Sequence, residues 1–144
     1  MPEQNFANHS RYVTLFHKVL FPMIVATWIG AIVNLFHSFG DHERLYSAAL
    51  IVVLAFALQI LFFFARTFPL QAQDRAIRAE ESLRHYVLAG RLFDTRLTIR
   101  QIVALRFAPD AEFVELARKA ADTGMKPVDI KKSIKNWKAD YDRL

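Results

Sequence analysis

"LYSAALIVVLAFALQILFFFA" fills residues 45–65 and contains no Asp, Glu, Lys or Arg. A helix needs about 20 apolar residues to cross a hydrocarbon core about 30 Å thick. Backbone polar groups in that core are satisfied only within a helix or a closed barrel. The stretch therefore reads as a transmembrane helix. Immediately upstream, residues 19–40 also lack any charged side chain, and only "GDHER", residues 40–44, separates the two runs. Two spans joined so tightly form a helical hairpin, and a soluble core of this size has no use for two such runs. A secretory leader is the competing reading of the first run. Arg11 and Lys18 would be its basic region, and the small residues of "SFG", 38–40, its cleavage site. Its apolar part is longer than the usual stretch of roughly 7–15 residues, and a second span follows at once.

The remainder of the chain is polar. Residues 66–144 carry 16 Lys and Arg against 11 Asp and Glu, so the whole net charge of +5 lies there. Basic residues flanking spans stay in the cytoplasm. Arg11 and Lys18 precede the first span, and Arg66, Arg75 and Arg78 follow the second. Both termini are expected inside a bacterial inner membrane, with the loop outside. His9, Tyr12 and His17 suit a headgroup layer, where amphipathic rings settle. Pro22 should disturb the helix near Lys18, as a kink or as a separate interfacial helix over 10–18, because proline removes a hydrogen bond and clashes with the preceding turn. Pro69 should kink the exit of the second span or open a new helix.

Polar groups in the spans are Thr27, Trp28, Asn34, His37, Ser47 and Gln59. In a tight hairpin Asn34 falls beside Leu50 and Gln59 beside Val25, so the two amides do not meet within one chain. Ala26, Gly30 and Asn34 recur every four residues, a small-residue stripe suited to close helix approach. Packing inside the hairpin is the first reading of that stripe; a second copy or a larger membrane protein is the other. His17 and His37 lie on one helix and the second span has no histidine, so a bis-histidine haem is not available in one chain.

Beyond the spans, residues 71–92 favour helix. Ala72, Ala76, Ala79, Leu83 and Tyr86 form an alanine-rich heptad-like stripe. Asp74 with Arg78 and Glu80 with Arg84 are spaced as favourable helical pairs on a solvated face. Thr98 and Gln101 make a capping box for the next helix. Asp110 can cap a second, which Gly124 stops, and Pro127 opens a third. In that third helix Ile130, Ile134, Trp137, Tyr141 and Leu144 are expected to form one amphipathic stripe, with Trp137 as core anchor. Lys126, Lys131, Lys132, Lys135 and Lys138 gather around it. A solvated face, anionic headgroups and nucleic acid compete as explanations. Asp129, Asp140 and Asp142 dilute the positive surface.

The expected fold class is all-α: a two-span transmembrane hairpin, a long juxtamembrane helix and a small three-helix cytoplasmic module. The boundaries are 1–18 cytoplasmic or interfacial, 19–65 the hairpin, 66–96 the juxtamembrane helix and 97–144 the module. With no cysteine there is no disulfide, thiolate metal site or cysteine nucleophile. GxxxxGK[ST], GxGxxG, HExxH and GxSxG are absent, so nucleotide hydrolysis, dinucleotide redox chemistry and zinc proteolysis lose support. No catalytic residue, metal or cofactor is inferred. Interaction residues are expected to include Arg11, Tyr12, Asp74, Arg75, Arg78, Lys131, Lys132, Lys135 and Trp137. Ala26, Gly30, Asn34 and Gln59 are the packing candidates in the spans. Membrane lipids and a protein partner or second copy are the expected partners, in an accessory role. A membrane-tethered nucleic-acid binder or a small oligomeric transporter or channel is the alternative.

Several stretches together carry a resemblance. "QNFANHSRY" lies at 4–12, "QAQDRAIRAEESLR" at 71–84, "RQIVALRFAPDAE" at 100–112 and "DIKKSIKNWKADYDR" at 129–143. This ensemble resembles a bacterial family of small two-span membrane proteins, a domain of unknown function. The resemblance spans nearly the whole chain. It implies a hairpin with an inward helical tail and supplies no reaction, ligand or catalytic residue. Some members carry transporter-permease labels, which no feature of this chain justifies. Hairpin closure puts the N-terminal polar stretch, with Asn5, His9, Ser10, Arg11 and Tyr12, on the same side as Gln73, Asp74, Arg75 and Arg78, and the two are expected to bond to each other at the inner membrane face.

Overall fold

In the computed structural model, residues 4–9 and 12–141 are described. Their order is a π-helical turn Leu15–Leu20, α1 Phe21–His37, α2 His42–Ala89, α3 Ile99–Leu105, α4 Asp110–Thr123 and α5 Pro127–Ser133, with no strand among them. The chain is all-α, as its sequence indicates. It divides into two compact units, Tyr12–Phe68, and Pro69–Leu144 with Met1–Arg11.

The unit Tyr12–Phe68 holds α1 and the first part of α2. Ala48, Ala55 and Phe62 on α2, with Leu45, Val52 and Gln59 between them, form a buried or half-buried row at spacings of three and four. Ile24 and Ala31 on α1 and Ser38 at its C-cap repeat every seventh residue, Ala31 and Ser38 being buried. The fully shielded positions of both rows carry small side chains, Ala31, Ser38, Ala48 and Ala55. Asp41 accepts from the Arg44 N–H at 3.2 Å and starts α2, while Gly40 takes a φ of +95°, which favours glycine.

Pro22 acts on the turn before it. It has no N–H to offer the Lys18 carbonyl, and the hydrogen bonding slips by one residue: the Phe21 N–H donates to the Phe16 carbonyl. The disturbance expected near Lys18 is thus a π-helical turn running into α1; Ser10 and Arg11, where a separate interfacial helix would begin, lie outside the described residues. The slip brings Phe16 and Phe21 to one side. Phe16 stacks on Phe62 at 4.3 Å between ring centres, and Phe21 meets Phe62 at 5.6 Å. Pro69 opens no new helix, since α2 continues through it to Ala89. Its missing N–H removes one hydrogen bond, and the turn that follows, Leu70, Gln71 and Ala72, is made of strong helix formers.

Both apolar runs lie in helices long and apolar enough to cross a membrane, Leu15–His37 and His42–Ala89. Only 6% of the first apolar window and 11% of the second is buried inside the molecule. A soluble core helix would hide such a segment. Here Phe36, Val53, Leu54 and Leu61 are each more than 60% exposed.

The second unit is built on α3, α4 and α5. Its core joins Ala104, Leu105, Ala108, Phe113, Leu116, Ala117, Ala120 and Ile130. The Thr98 hydroxyl accepts from the Gln101 N–H, and the Gln101 carboxamide accepts from the Thr98 N–H at 2.8 Å, completing the capping box. Gly124 ends α4 with φ +62°, its N–H on the Ala120 carbonyl. Pro127 opens α5 as expected, but the third helix stops at Ser133 and does not run to residue 144. Glu112 takes the Lys135 and Asn136 N–H groups, both at 3.0 Å, and the Phe107 carbonyl takes that of Lys138 at 2.8 Å. These outside acceptors replace the helical ones. Ile134, Trp137 and Tyr141 are therefore not one helical stripe, and Leu144 lies outside the described residues.

Candidate functional site

The N-terminal segment and the C-terminal tail meet within the second unit. Gln4 is buried and spans the tail: its Nε2 donates to the Asp140 carbonyl at 3.0 Å, and its Oε1 accepts from the Asp140 N–H at 2.8 Å and from Trp137 Nε1 at 3.3 Å. One side-chain amide thus pairs with the tail backbone as a strand would. Asn5 and Asn8 fold the next residues into a turn, Asn8 Oδ1 accepting from the Asn5 N–H at 2.7 Å. That turn delivers His9 to the tail. Its Nδ1 donates to the Phe6 carbonyl at 2.6 Å, which leaves Nε2 to accept from Lys131 Nζ at 2.9 Å. This pattern requires a neutral imidazole.

Phe107 is the floor of the junction and is fully buried. Trp137 stacks on it at 4.5 Å, the Arg106 guanidinium lies 4.6 Å from its ring centre, and His9 sits 5.8 Å away. Arg106 and Asp140 form an ion pair at 3.1 Å. The wet, aromatic stretch ahead of the first span is therefore a clasp for the tail. The expected partners Gln73, Asp74, Arg75 and Arg78 are not those that residues 4–9 bond. The reason is chemical: Gln4 and His9 find both donors and acceptors on the tail backbone and Lys131, whereas a helical surface has no free backbone groups. Arg11, and with it the expected Arg11–Asp74 contact, lies outside the described residues.

The final part of α2 brings a polar face to the module. Glu81 and His85 are buried. Arg84 bonds Glu81 at 3.0 Å, Asp110 at 2.7 Å and the Ala108 carbonyl at 2.8 Å, with its guanidinium 4.2 Å from the Phe113 ring centre. Asp110 thus opens α4 as an ion-pair partner and not as its cap. The pairing expected between Glu80 and Arg84 is replaced by Glu81 and Asp110, and no ion pair joins Asp74 to Arg78 among the described residues. His85 Nδ1 donates to the Arg91 carbonyl at 2.8 Å, and its ring packs on Phe93 at 4.4 Å. A cavity of about 300 Å³ lies beside His85, between Arg91, Arg118 and Val114. Arg96 closes its rim on Asp94 and Asp122, at 2.6 and 2.9 Å. These hydrogen bonds hold the Asp94 carboxyl at about 2 and raise the Arg96 guanidinium further above its usual range. The N–H donated by Lys135, then the Asn136 contacts, hold Glu112 below the ordinary carboxylate value.

The remaining predicted residues divide by position. Lys131 is half-buried and spent on His9, so it belongs to the clasp and not to an outward basic face. Lys132 is exposed over Phe6, and Lys135 is exposed. Trp137 is half-buried, an anchor as expected, although outside any helix. Tyr12 is 74% exposed, Arg75 and Arg78 are exposed and Asp74 is half-buried. In the hairpin, Ala26, Gly30 and Asn34 face outward, contrary to the reading that packs them inside it, and a Cβ on Gly30 would meet nothing within 4 Å. Ala31 and Ser38 take that inner place. Gln59 lies half-buried on the seam. Phe107 has the spacing of an apolar face with Ile99, Ile102 and Val103, and is buried accordingly, but its place under the tail is not readable from that spacing. Sequence reasoning missed Gln4 and Glu112 and gave Glu81 no structural partner; their only local signal is a polar residue without periodic context. Among the described residues, no group of three or more His, Asp or Glu is placed to hold a metal ion.

The geometry defines a class: an all-helical protein with two helices apolar enough to span a membrane and a polar helical module closed by its own N-terminal segment. The chain belongs to a family of unknown function, DUF6526, whose model matches residues 1–144. No curated protein and no solved structure matches the chain.

Proposed function

We propose that the chain is a non-enzymatic integral protein of a bacterial inner membrane. Its hairpin anchors a basic helical module, with both termini in the cytoplasm, and the module binds a protein partner in an accessory role. The observation that supports anchoring is the outward placement of the apolar side chains on both long helices, of which 6% and 11% are buried in the apolar windows. Lipid is the solvent that makes such a surface stable. The orientation follows from Arg11, Lys18, Arg66, Arg75 and Arg78 flanking the spans on one side, against a five-residue loop with Arg44 alone as a basic residue of fixed charge. A protein partner is favoured over nucleic acid because Lys131 is turned into the clasp and the rest of the tail carries Asp129, Asp140 and Asp142 beside its lysines. Fusions test this reading. A fluorescent protein at the C-terminus should fold and emit, and an alkaline phosphatase reporter inserted at 40–44 should be active. A dark C-terminal fusion with an inactive loop reporter overturns the orientation.

A further inference from the structure

We infer that the outward face of α2 beyond residue 70 pairs with the same face of a second copy of this chain, as a parallel two-stranded coiled coil. The inference rests on the membrane-anchored reading, because anchoring in one membrane makes two copies point the same way. Ala72, Ala76, Ala79, Leu83 and Tyr86 follow the four-three spacing of a and d positions. All five are exposed, Leu83 at 65% and Tyr86 at 53%, and neighbouring Val87 at 74%. The buried residues of the same stretch are Ile77, Glu81 and His85, which a helical period places on the opposite side. The module covers that polar side and leaves the apolar one open. A contiguous exposed apolar strip on a polar module marks an interaction surface.

The charges beside the strip choose the occupant. With Ala76 and Leu83 at a, and Ala72, Ala79 and Tyr86 at d, Arg75 falls at g and Glu80 at e of the next heptad. In a parallel pair these two positions face each other across the seam, so Arg75 meets the partner's Glu80, and the contact occurs twice by symmetry. In an antiparallel pair g meets g and e meets e, so Arg75 no longer meets Glu80. Both side chains are exposed, and neither joins an ion pair among the described residues. The seam is thus self-complementary in one orientation. Alanine at 72, 76 and 79 lets the axes approach closely, and Leu83 and Tyr86 add the apolar bulk. A seam of about 22 Å is short for two free helices. Confinement to one membrane raises the effective concentration and makes a short seam sufficient.

The chain has no cysteine, so single cysteines report without background. Full-length Ala72→Cys, Ala79→Cys, Tyr86→Cys and the off-seam control Arg78→Cys are oxidised in native membranes and run on non-reducing gels. Disulfide dimers are expected at all three seam positions and not at the control. Arg75→Glu should lower the Ala79→Cys dimer fraction severalfold, and adding Glu80→Arg should restore it. Dimer at Ala79→Cys alone means an antiparallel pair and overturns the proposal. Equal dimer at Arg78→Cys means random collision, and no dimer anywhere means that lipid or another protein covers the face; each overturns it. Carbonate washing of the same membranes separates the failures: release of the chain sinks the anchoring, while retention without the pattern sinks the pairing alone.

Discussion

Arg84 shows how a single residue ties α2 to the module. Its side chain is 13% exposed and serves Glu81, Asp110, the Ala108 carbonyl and the Phe113 ring. Removing one partner of a buried pair leaves the other desolvated and alone, a loss of about 3–5 kcal/mol. Arg84→Ala should therefore destabilise the second unit by about 3 kcal/mol in urea unfolding of the detergent-solubilised chain, followed by Trp137 fluorescence in a Trp28→Phe background. The buried Glu81 is what makes the loss large, so adding Glu81→Gln should recover part of it. Acid tests the same scale. Glu112 and Asp94 have folded values below their ordinary ones, Asp94 at about 2 against 3.8, so the unfolded chain binds protons first as pH falls. Their stabilisation is complete above the ordinary carboxylate values. It is lost as pH drops through the folded ones, from about 4.5 for Glu112 downward and between 3.8 and about 2 for Asp94. Trp137 fluorescence should report tail release on acidification below pH 4.5, and Glu112→Gln should flatten the Glu112 part of that profile.

At the scale of elements, Gly124 offers a clean test. Its φ of +62° is left-handed, and a Cβ there meets open space, so a side chain pays only the conformational term. Gly124→Ala should destabilise the unit by about 1–2 kcal/mol in the same urea assay. Gly124→Asn should lose less, since asparagine tolerates this region. Such punctuation was legible: the Thr98–Gln101 box, the Gly124 stop and the Pro127 start are local, each set by backbone groups within one turn. The C-terminal tail was not. Ile130, Ile134, Trp137 and Tyr141 have helical spacing, but Glu112, Phe107 and Gln4 supply acceptors from far along the chain, and no window of sequence contains them. The π-helical turn was half legible. Pro22 announces a disturbance, whereas the ring that Phe16 and Phe21 meet there belongs to Phe62, a residue of the other helix. On α2 the buried side could not be read by hydrophobicity. Arg84 satisfies Glu81, and His85 finds the Arg91 carbonyl, so a polar stripe is inside and an alanine stripe outside.

For the whole molecule the decisive contrast lies between the two units. In one, large apolar side chains point outward over most of both helices; in the other a core gathers around Phe113, Phe107 and Ile130, and the exposed apolar side chains of its long helix form one strip with Leu83, Tyr86 and Val87. This contrast was legible from the two charge-free runs alone, because a helix without charge is apolar on every side. The clasp was not, since its residues come from opposite ends of the chain. Lipid around residues 19–40 and 45–65 is the premise of the orientation, the clasp's place on the inner side and the parallel seam alike. The direct measurement is alkaline carbonate extraction of membranes from cells making the full-length chain. The account predicts that the chain stays in the membrane pellet and enters solution only with detergent. Recovery in the carbonate supernatant, dispersed without detergent, would contradict it.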